Sequence, residues 1–118
     1  MKLLIVDDSN IIRKAIQKYS SKYNLEIAGQ AENGKVALEI FKKEMPDLVT
    51  LDITMPEMDG LTALEEMIKL KKDVKILIVS ALSDKKTALE AIEKGAIGFI
   101  QKPFTEEKLD ASMKKILG

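Results

Sequence analysis

The stretch Leu3-Leu4-Ile5-Val6-Asp7-Asp8-Ser9 sets four consecutive apolar residues against two acids and a hydroxyl. Successive side chains of a strand point to opposite faces of a sheet, so a short run without alternation suits a strand covered on both sides. Residues 48–51 and 76–79 share this form, as does the shorter run 97–100. A fifth segment, 25–31, alternates more and carries a weaker signal.

Segments with helical spacing lie between these runs. Ile11, Ile12, Ala15, Ile16 and Tyr19 recur at the helical period behind a cap candidate, Ser9. Val36, Ala37, Ile40 and Phe41 follow Asn33-Gly34, and Leu61, Leu64, Met67 and Ile68 follow Asp59-Gly60. Ala88, Ala91 and Ile92 follow Ser83-Asp84, while Leu109, Met113, Ile116 and Leu117 follow Thr105. Gly95, just after Lys94, stands where a helix C-cap would fall. Five strand–helix units in strict alternation imply an α/β fold with a parallel sheet and right-handed crossovers. No linker, repeat or low-complexity stretch divides the 118 residues, so one domain over 1–118 is expected.

Composition removes several chemistries. Lys+Arg 19 against Asp+Glu 19 gives a formal net charge of +0, which argues against a polybasic nucleic-acid binder or an electrostatic membrane anchor. Arg13 is the only arginine. With Cys 0 there is no disulfide, thiolate zinc site or cysteine nucleophile, and with His 0 no Ser-His-Asp triad or HExxH site. The apolar run at 3–6 is too short for a signal peptide, and no run approaches the roughly 20 residues of a membrane span. A cytoplasmic domain is the expectation.

In open α/β sheets, ligands bind beyond the carboxyl ends of the strands. The residues following the apolar runs are Asp7 and Asp8, then Asp52, Ser80 and Lys102. Each has an ordinary reading alone: helix-dipole partner, turn opener, helix cap or solvated lysine. Together they bring three carboxylates, one hydroxyl and one ammonium to one edge. The second strand ends in Ala31-Glu32-Asn33, which adds little. Three acids against one lysine invite a divalent cation, and oxygen-only ligands point to Mg²⁺ or Mn²⁺. Asp7 and Asp8 suit a metal pair, while Asp52 stands opposite as a nucleophile toward phosphorus, giving an aspartyl phosphate. The metal and Lys102 would offset phosphoryl charge, with the Ser80 hydroxyl donating. An ionised carboxylate has no proton to remove, so the missing histidine is no handicap. A phosphohistidine donor would lie on another protein.

These residues resemble the receiver domains of two-component response regulators, close to the stand-alone chemotaxis regulators of CheY type. The matching motifs are Leu4-Ile5-Val6-Asp7-Asp8-Ser9, Asp52-Ile53-Thr54-Met55-Pro56-Glu57-Met58-Asp59-Gly60, Val79-Ser80-Ala81 and Lys102-Pro103-Phe104, in order along essentially the whole chain. The resemblance implies a doubly wound, flavodoxin-like (βα)5 fold with strand order 2-1-3-4-5. It implies Asp52 as phosphoacceptor, with Asp8, Asp52 and the Thr54 carbonyl on Mg²⁺ and Asp7 acting mainly through metal-bound water. Ser80 and Lys102 would contact the phosphoryl group, Ser80 and Phe99 would form the switch pair, and Lys102–Pro103 would be cis. Phe99 replaces the family's tyrosine, and a plain core aromatic is its other reading. Thr54 and Leu82 sit where the family tunes aspartyl-phosphate lifetime.

The implied function is a signalling switch rather than an enzyme, phosphorylated by a histidine kinase and read out by protein binding. A flagellar motor switch component is one such target, and the chain would act as a monomer without nucleic acid or membrane. A phosphorelay intermediate, or a stand-alone receiver with a non-chemotaxis target, shares every site residue. A flavodoxin-like cofactor binder conflicts with the acidic first loop, and a haloacid dehalogenase-type phosphatase with Thr54, where that class has its second aspartate. The chain ends at Gly118 without an output domain, so readout is expected on the surface of the fourth helix, last strand and last helix. Candidates there are Lys85, Lys86, Glu90, Gln101 and Lys108.

Overall fold

The computed structural model describes residues 1–53, 60–81 and 85–117. Its elements are β1 (Lys2–Val6), α1 (Asn10–Ser20), β2 (Glu26–Ala31), α2 (Gly34–Glu44), β3 (Leu48–Asp52), α3 (Gly60–Leu70), β4 (Lys75–Ala81), α4 (Lys85–Glu93), β5 (Gly98–Lys102) and α5 (Glu106–Leu117). A single 3₁₀ turn, Ser21–Tyr23, follows α1. The strands form one sheet in the order β2-β1-β3-β4-β5, and every pairing is parallel.

The pleat sorts the apolar runs into two cores. Leu4, Val6, Val49 and Leu51 face the cluster that contains Phe41, Leu64 and Ala88, from α2, α3 and α4. Leu3, Ile5, Leu48 and Leu77 face the other way, onto Ile16 of α1 and Leu109 and Met113 of α5. Each fully buried Leu, Ile or Phe contributes roughly 1.5–3 kcal/mol. That need on both faces accounts for the unalternated runs in β1, β3 and β4.

Side-chain caps hold three helix starts, Ser9 as the sequence suggests and Asn33 and Thr105 as the structure adds. The Ser9 Oγ accepts from the Ile12 amide at 3.3 Å, the Asn33 Oδ1 from Val36 at 2.8 Å, and the Thr105 Oγ1 from Lys108 at 3.2 Å. Ser83 and Asp84 lie outside the described residues. Gly95 closes α4 with φ +122°. Its amide donates to the Ile92 carbonyl, and that of Ala96 to the Ala91 carbonyl, at 3.1 and 3.0 Å.

Two expectations are corrected. The last strand begins at Gly98, beyond Ile97, because its ladder with β4 runs from Leu77↔Gly98 to Ala81↔Lys102. Ile97 is 49% exposed. Its amide donates to the Ile76 carbonyl of β4 at 2.9 Å, so Ile97 leads into the strand with its side chain turned to solvent. Ile11, read as part of the helix's apolar face, is 79% exposed on the first turn of α1.

At the amino ends of the strands, Asp47 ties three elements together. Its carboxylate accepts from the Lys2 amide at 2.8 Å and the Lys71 ammonium at 2.9 Å. The Lys2 amide foremost, then Lys71, holds this carboxyl below its ordinary value of 3.8. A depressed folded-state pKa means that the unfolded chain takes up protons first, so the stabilisation is lost as pH falls. Urea unfolding of wild type and Asp47→Ala should differ most above about pH 5 and converge as the pH drops through the carboxylate range. A gap independent of pH would contradict the assignment.

Close packing behind β3 gives a second test. A Cβ on Gly60 would lie 2.3 Å from the Ile53 Cα and 2.8 Å from the Asp52 carbonyl oxygen, both backbone atoms. One on Gly29 would meet only the Ile40 side chain, at 3.0 Å. Gly60→Ala should therefore cost about 2 kcal/mol, and Gly29→Ala clearly less, by urea denaturation. Equal losses would show that α3 is not pressed against the end of β3.

Candidate functional site

The carboxyl edge of the sheet gathers its polar side chains from four strands. Asp7 follows β1 directly and is fully buried. Its amide donates to the Ala31 carbonyl of β2 at 3.0 Å, and its Oδ1 accepts from the Ser9 amide at 2.9 Å. The second strand thus positions the site through its backbone, a contribution that side-chain reading missed. Asp52, the last residue of β3, is 1% exposed and stands in register with Val79 of β4. Asp8, by contrast, is exposed.

Lys102, at the end of β5, joins the two buried acids. Its Nζ lies 2.9 Å from the Asp7 Oδ2 and 3.3 Å from the Asp52 Oδ2. Burial pushes the Asp7 carboxyl up, and the nearby Asp52 charge adds to this, against the Lys102 and Ser9 hydrogen bonds that oppose it. Burial alone would lower the Lys102 ammonium, yet its contacts with Asp7 and Asp52 outweigh that and raise it. One ammonium thus serves two carboxylates that water hardly reaches.

Carboxylate oxygens of Asp7, Asp8 and Asp52 lie within 4.8 Å of one another. An oxygen-only donor set of this span, open to solvent at Asp8 and short of positive charge, fits a hard divalent cation. Asp7 Oδ1 accepts from the Ser9 amide, Asp7 Oδ2 and Asp52 Oδ2 both face the Lys102 ammonium, and Asp8 is the acid of the three that opens to solvent. The expected Thr54 carbonyl lies outside the described residues, as does Leu82.

Ser80 comes to the same edge inside β4 and is fully buried, and its Oγ has no hydrogen-bond partner among the described residues. The register pairs Ile78 with Phe99 and Ser80 with Gln101, so Ser80 and Phe99 are diagonal neighbours on one face. Phe99 is half-buried against the α2–α4 core. It also lines a groove of about 400 Å³ with Leu89, Ile92 and Ile97. A more polar groove of similar size, lined by Lys85, Gln101 and Lys108, adjoins it across Phe99. Three of the five polar candidates for readout therefore line one groove, while the exposed apolar Leu89 and Ile97 were not foreseen. The Lys102–Pro103 peptide is cis, as expected.

Two further residues serve the site: Gly60, the end of the Asp52–Gly60 motif, whose packing role the motif did not specify, and Arg13, which no motif announced. Gly60 permits the close approach described above, and Arg13 reaches back from α1 to donate to the Asp7 carbonyl at 2.5 Å. Its status as the lone arginine was the only hint.

Residues 3–114 match the response regulator receiver domain family. The chain is 40% identical over 115 residues to the chemotaxis protein CheY of Thermotoga maritima, covering 98% of this chain and 96% of that protein. The chemotaxis protein CheY of Bacillus subtilis is 41% identical over 116 residues, with coverage of 98% and 97%. The fold also superposes on one chain of the CheX–CheY–BeF3–Mg²⁺ complex from Borrelia burgdorferi with a TM-score of 0.92 and 32% identity, covering 100% of this chain and 90% of that one. The chain belongs to the response regulator receiver domain family.

The shared ammonium can be tested directly. Lys102→Met leaves Asp7 and Asp52 buried without their common cation and should lower unfolding stability by about 3 kcal/mol in metal-free buffer. A loss within experimental error would mean that the ion pairs are incidental.

Proposed function

We propose that this chain, as a single receiver domain over residues 1–118, is a signalling switch that accepts a phosphoryl group on Asp52. The donor is the phosphohistidine of a partner histidine kinase, and the output is protein binding in chemotaxis. The observation that carries this reading is a buried carboxylate at the end of the central strand, sharing one ammonium with a second acid beside the exposed Asp8.

The geometry supports a division of labour. An Asp52 carboxylate oxygen attacks phosphorus as the P–N bond of the donor breaks, and the imidazole keeps the bond's electron pair. No general base is required. Lys102 already stands 3.3 Å from Asp52 and offsets negative charge on the arriving phosphoryl oxygens. The Ser80 hydroxyl, buried and unpartnered among the described residues, gains an acceptor when a phosphoryl oxygen comes within reach. Asp8 and Asp52, with the Thr54 carbonyl, would hold Mg²⁺, and Asp7 would act through its water. When bound, Mg²⁺ supplies the positive charge that a single lysine lacks. Mn²⁺ suits the same donors.

Repositioning of Ser80 would be transmitted to Phe99, its diagonal neighbour, which lines both grooves beside α4, β5 and α5. A protein target such as a flagellar motor switch component would read that face. Similarity to the chemotaxis proteins of Thermotoga and Bacillus supports the chemotaxis reading. The Borrelia complex, in which CheY occurs together with CheX, BeF3 and Mg²⁺, supports a metal-bound, partner-bound form. Among the described residues no helix is long and apolar enough to cross a membrane. We place the chain in the cytoplasm as a monomer, acting as a signalling protein rather than an enzyme.

Incubation with acetyl phosphate and Mg²⁺ should add one phosphoryl group by intact-mass spectrometry, labile to hydroxylamine. Asp52→Asn should abolish it. Equal modification of wild type and variant would place the acceptor elsewhere.

A further inference from the structure

Arg13 closes the loop that presents the acidic pair. The chain leaves β1 at Asp7 and enters α1 at Asn10, so Asp7, Asp8 and Ser9 must turn within a very short span. The Arg13 side chain is half-buried and spans that turn from above. Its Nη1 donates to the Asp7 carbonyl at 2.5 Å, and its Nη2 donates to the Asn10 Oδ1 at 3.3 Å. The Arg13 amide donates to the Ser9 carbonyl at 3.0 Å, which sets the side chain in the first turn of the helix.

One planar fork therefore joins the two ends of the loop, with Asp8 between them. A lysine could carry the same charge, but a single ammonium on a flexible stem does not reproduce two donors in fixed directions. A guanidinium so placed has two opposing effects on a cation in the pocket. It orders the loop that carries the carboxylates, which favours metal binding. It also brings a positive charge close to them, which disfavours a second cation. The half-exposed setting weakens the charge effect by solvent screening, whereas the hydrogen bonds act on the peptide that joins Asp7 to Asp8.

We infer that Arg13 is a positioning residue of the acidic pocket, which fixes the Asp7–Asn10 turn through its fork so that Asp8 is held ready for the metal. This rests on the metal reading of the site given above. It assigns Arg13 no contact with metal or phosphoryl group, and its action is through the Asp7 carbonyl and the Asn10 side chain.

The two effects predict opposite signs. Titration of wild type, Arg13→Lys and Arg13→Ala with MgCl₂ at constant ionic strength, followed by amide NMR shifts, yields an affinity for each. Unfolding midpoints without metal report the fold separately. Positioning predicts that both variants bind Mg²⁺ roughly tenfold more weakly than wild type, a loss typical of removing a supporting partner around a metal ligand. The lysine variant should lose as much as the alanine variant. Tighter binding by Arg13→Ala with unchanged binding by Arg13→Lys would assign only a charge role and overturn the inference. Equal affinity in all three would overturn it too. If Arg13→Ala does not fold, Arg13→Lys alone decides. Absence of Mg²⁺ binding by wild type would overturn the metal reading itself, and this inference with it.

Discussion

Two carboxylates buried at 0% and 1% exposure share a single ammonium, and much of the carboxyl edge is arranged around that imbalance. Burying a charge without a partner is expensive, and one lysine between two acids leaves compensation incomplete. The raised carboxyl of Asp7 expresses the strain in that arrangement. A core built for stability alone would have no use for such a group. The site is held short of positive charge, and its oxygen-only donors suit a hard divalent cation.

Holding the acids in place is the work of the sheet. β1 and β3 are adjacent inner strands, so Asp7 and Asp52 arrive side by side with β2 and β4 on either flank. β2 anchors the Asp7 amide through the Ala31 carbonyl. α3 begins directly against the backbone of Asp52 and Ile53, an approach that only glycine at position 60 allows. The amino ends of the strands are fastened separately through Asp47, Lys2 and Lys71. Tight packing and hydrogen bonding thus support an edge whose charges oppose one another.

Much of this was legible in the sequence because it follows from local rules. Unalternated apolar runs mark strands covered twice, and the residues after them mark the edge, so Asp7, Asp8, Asp52, Ser80 and Lys102 could be grouped before any coordinates. The cap at Ser9 follows from the same local chemistry. Features that depend on distance in space stayed hidden. Ala31 acts by its carbonyl, which no side-chain pattern reports. The Arg13 fork depends on a turn geometry that sequence spacing leaves open. The last strand was placed a residue early because Ile97 is apolar, although its side chain is half exposed and the ladder register starts at Gly98, and Ile11 was assigned inward although it lies beyond the core that α1 covers. Leu89 and Ile97 together edge a groove only when α4 folds beside β5.

An acidic edge so short of positive charge should bind a divalent cation in the folded state. A ligand that binds only the native chain raises its unfolding free energy, increasingly so once its concentration exceeds the dissociation constant. The urea midpoint of wild type in MgCl₂, against NaCl at the same ionic strength, reads this binding without any label or partner. The expected result is a midpoint that climbs with MgCl₂ and a flat response for Asp8→Ala. Superimposable curves in the two salts for wild type would contradict it.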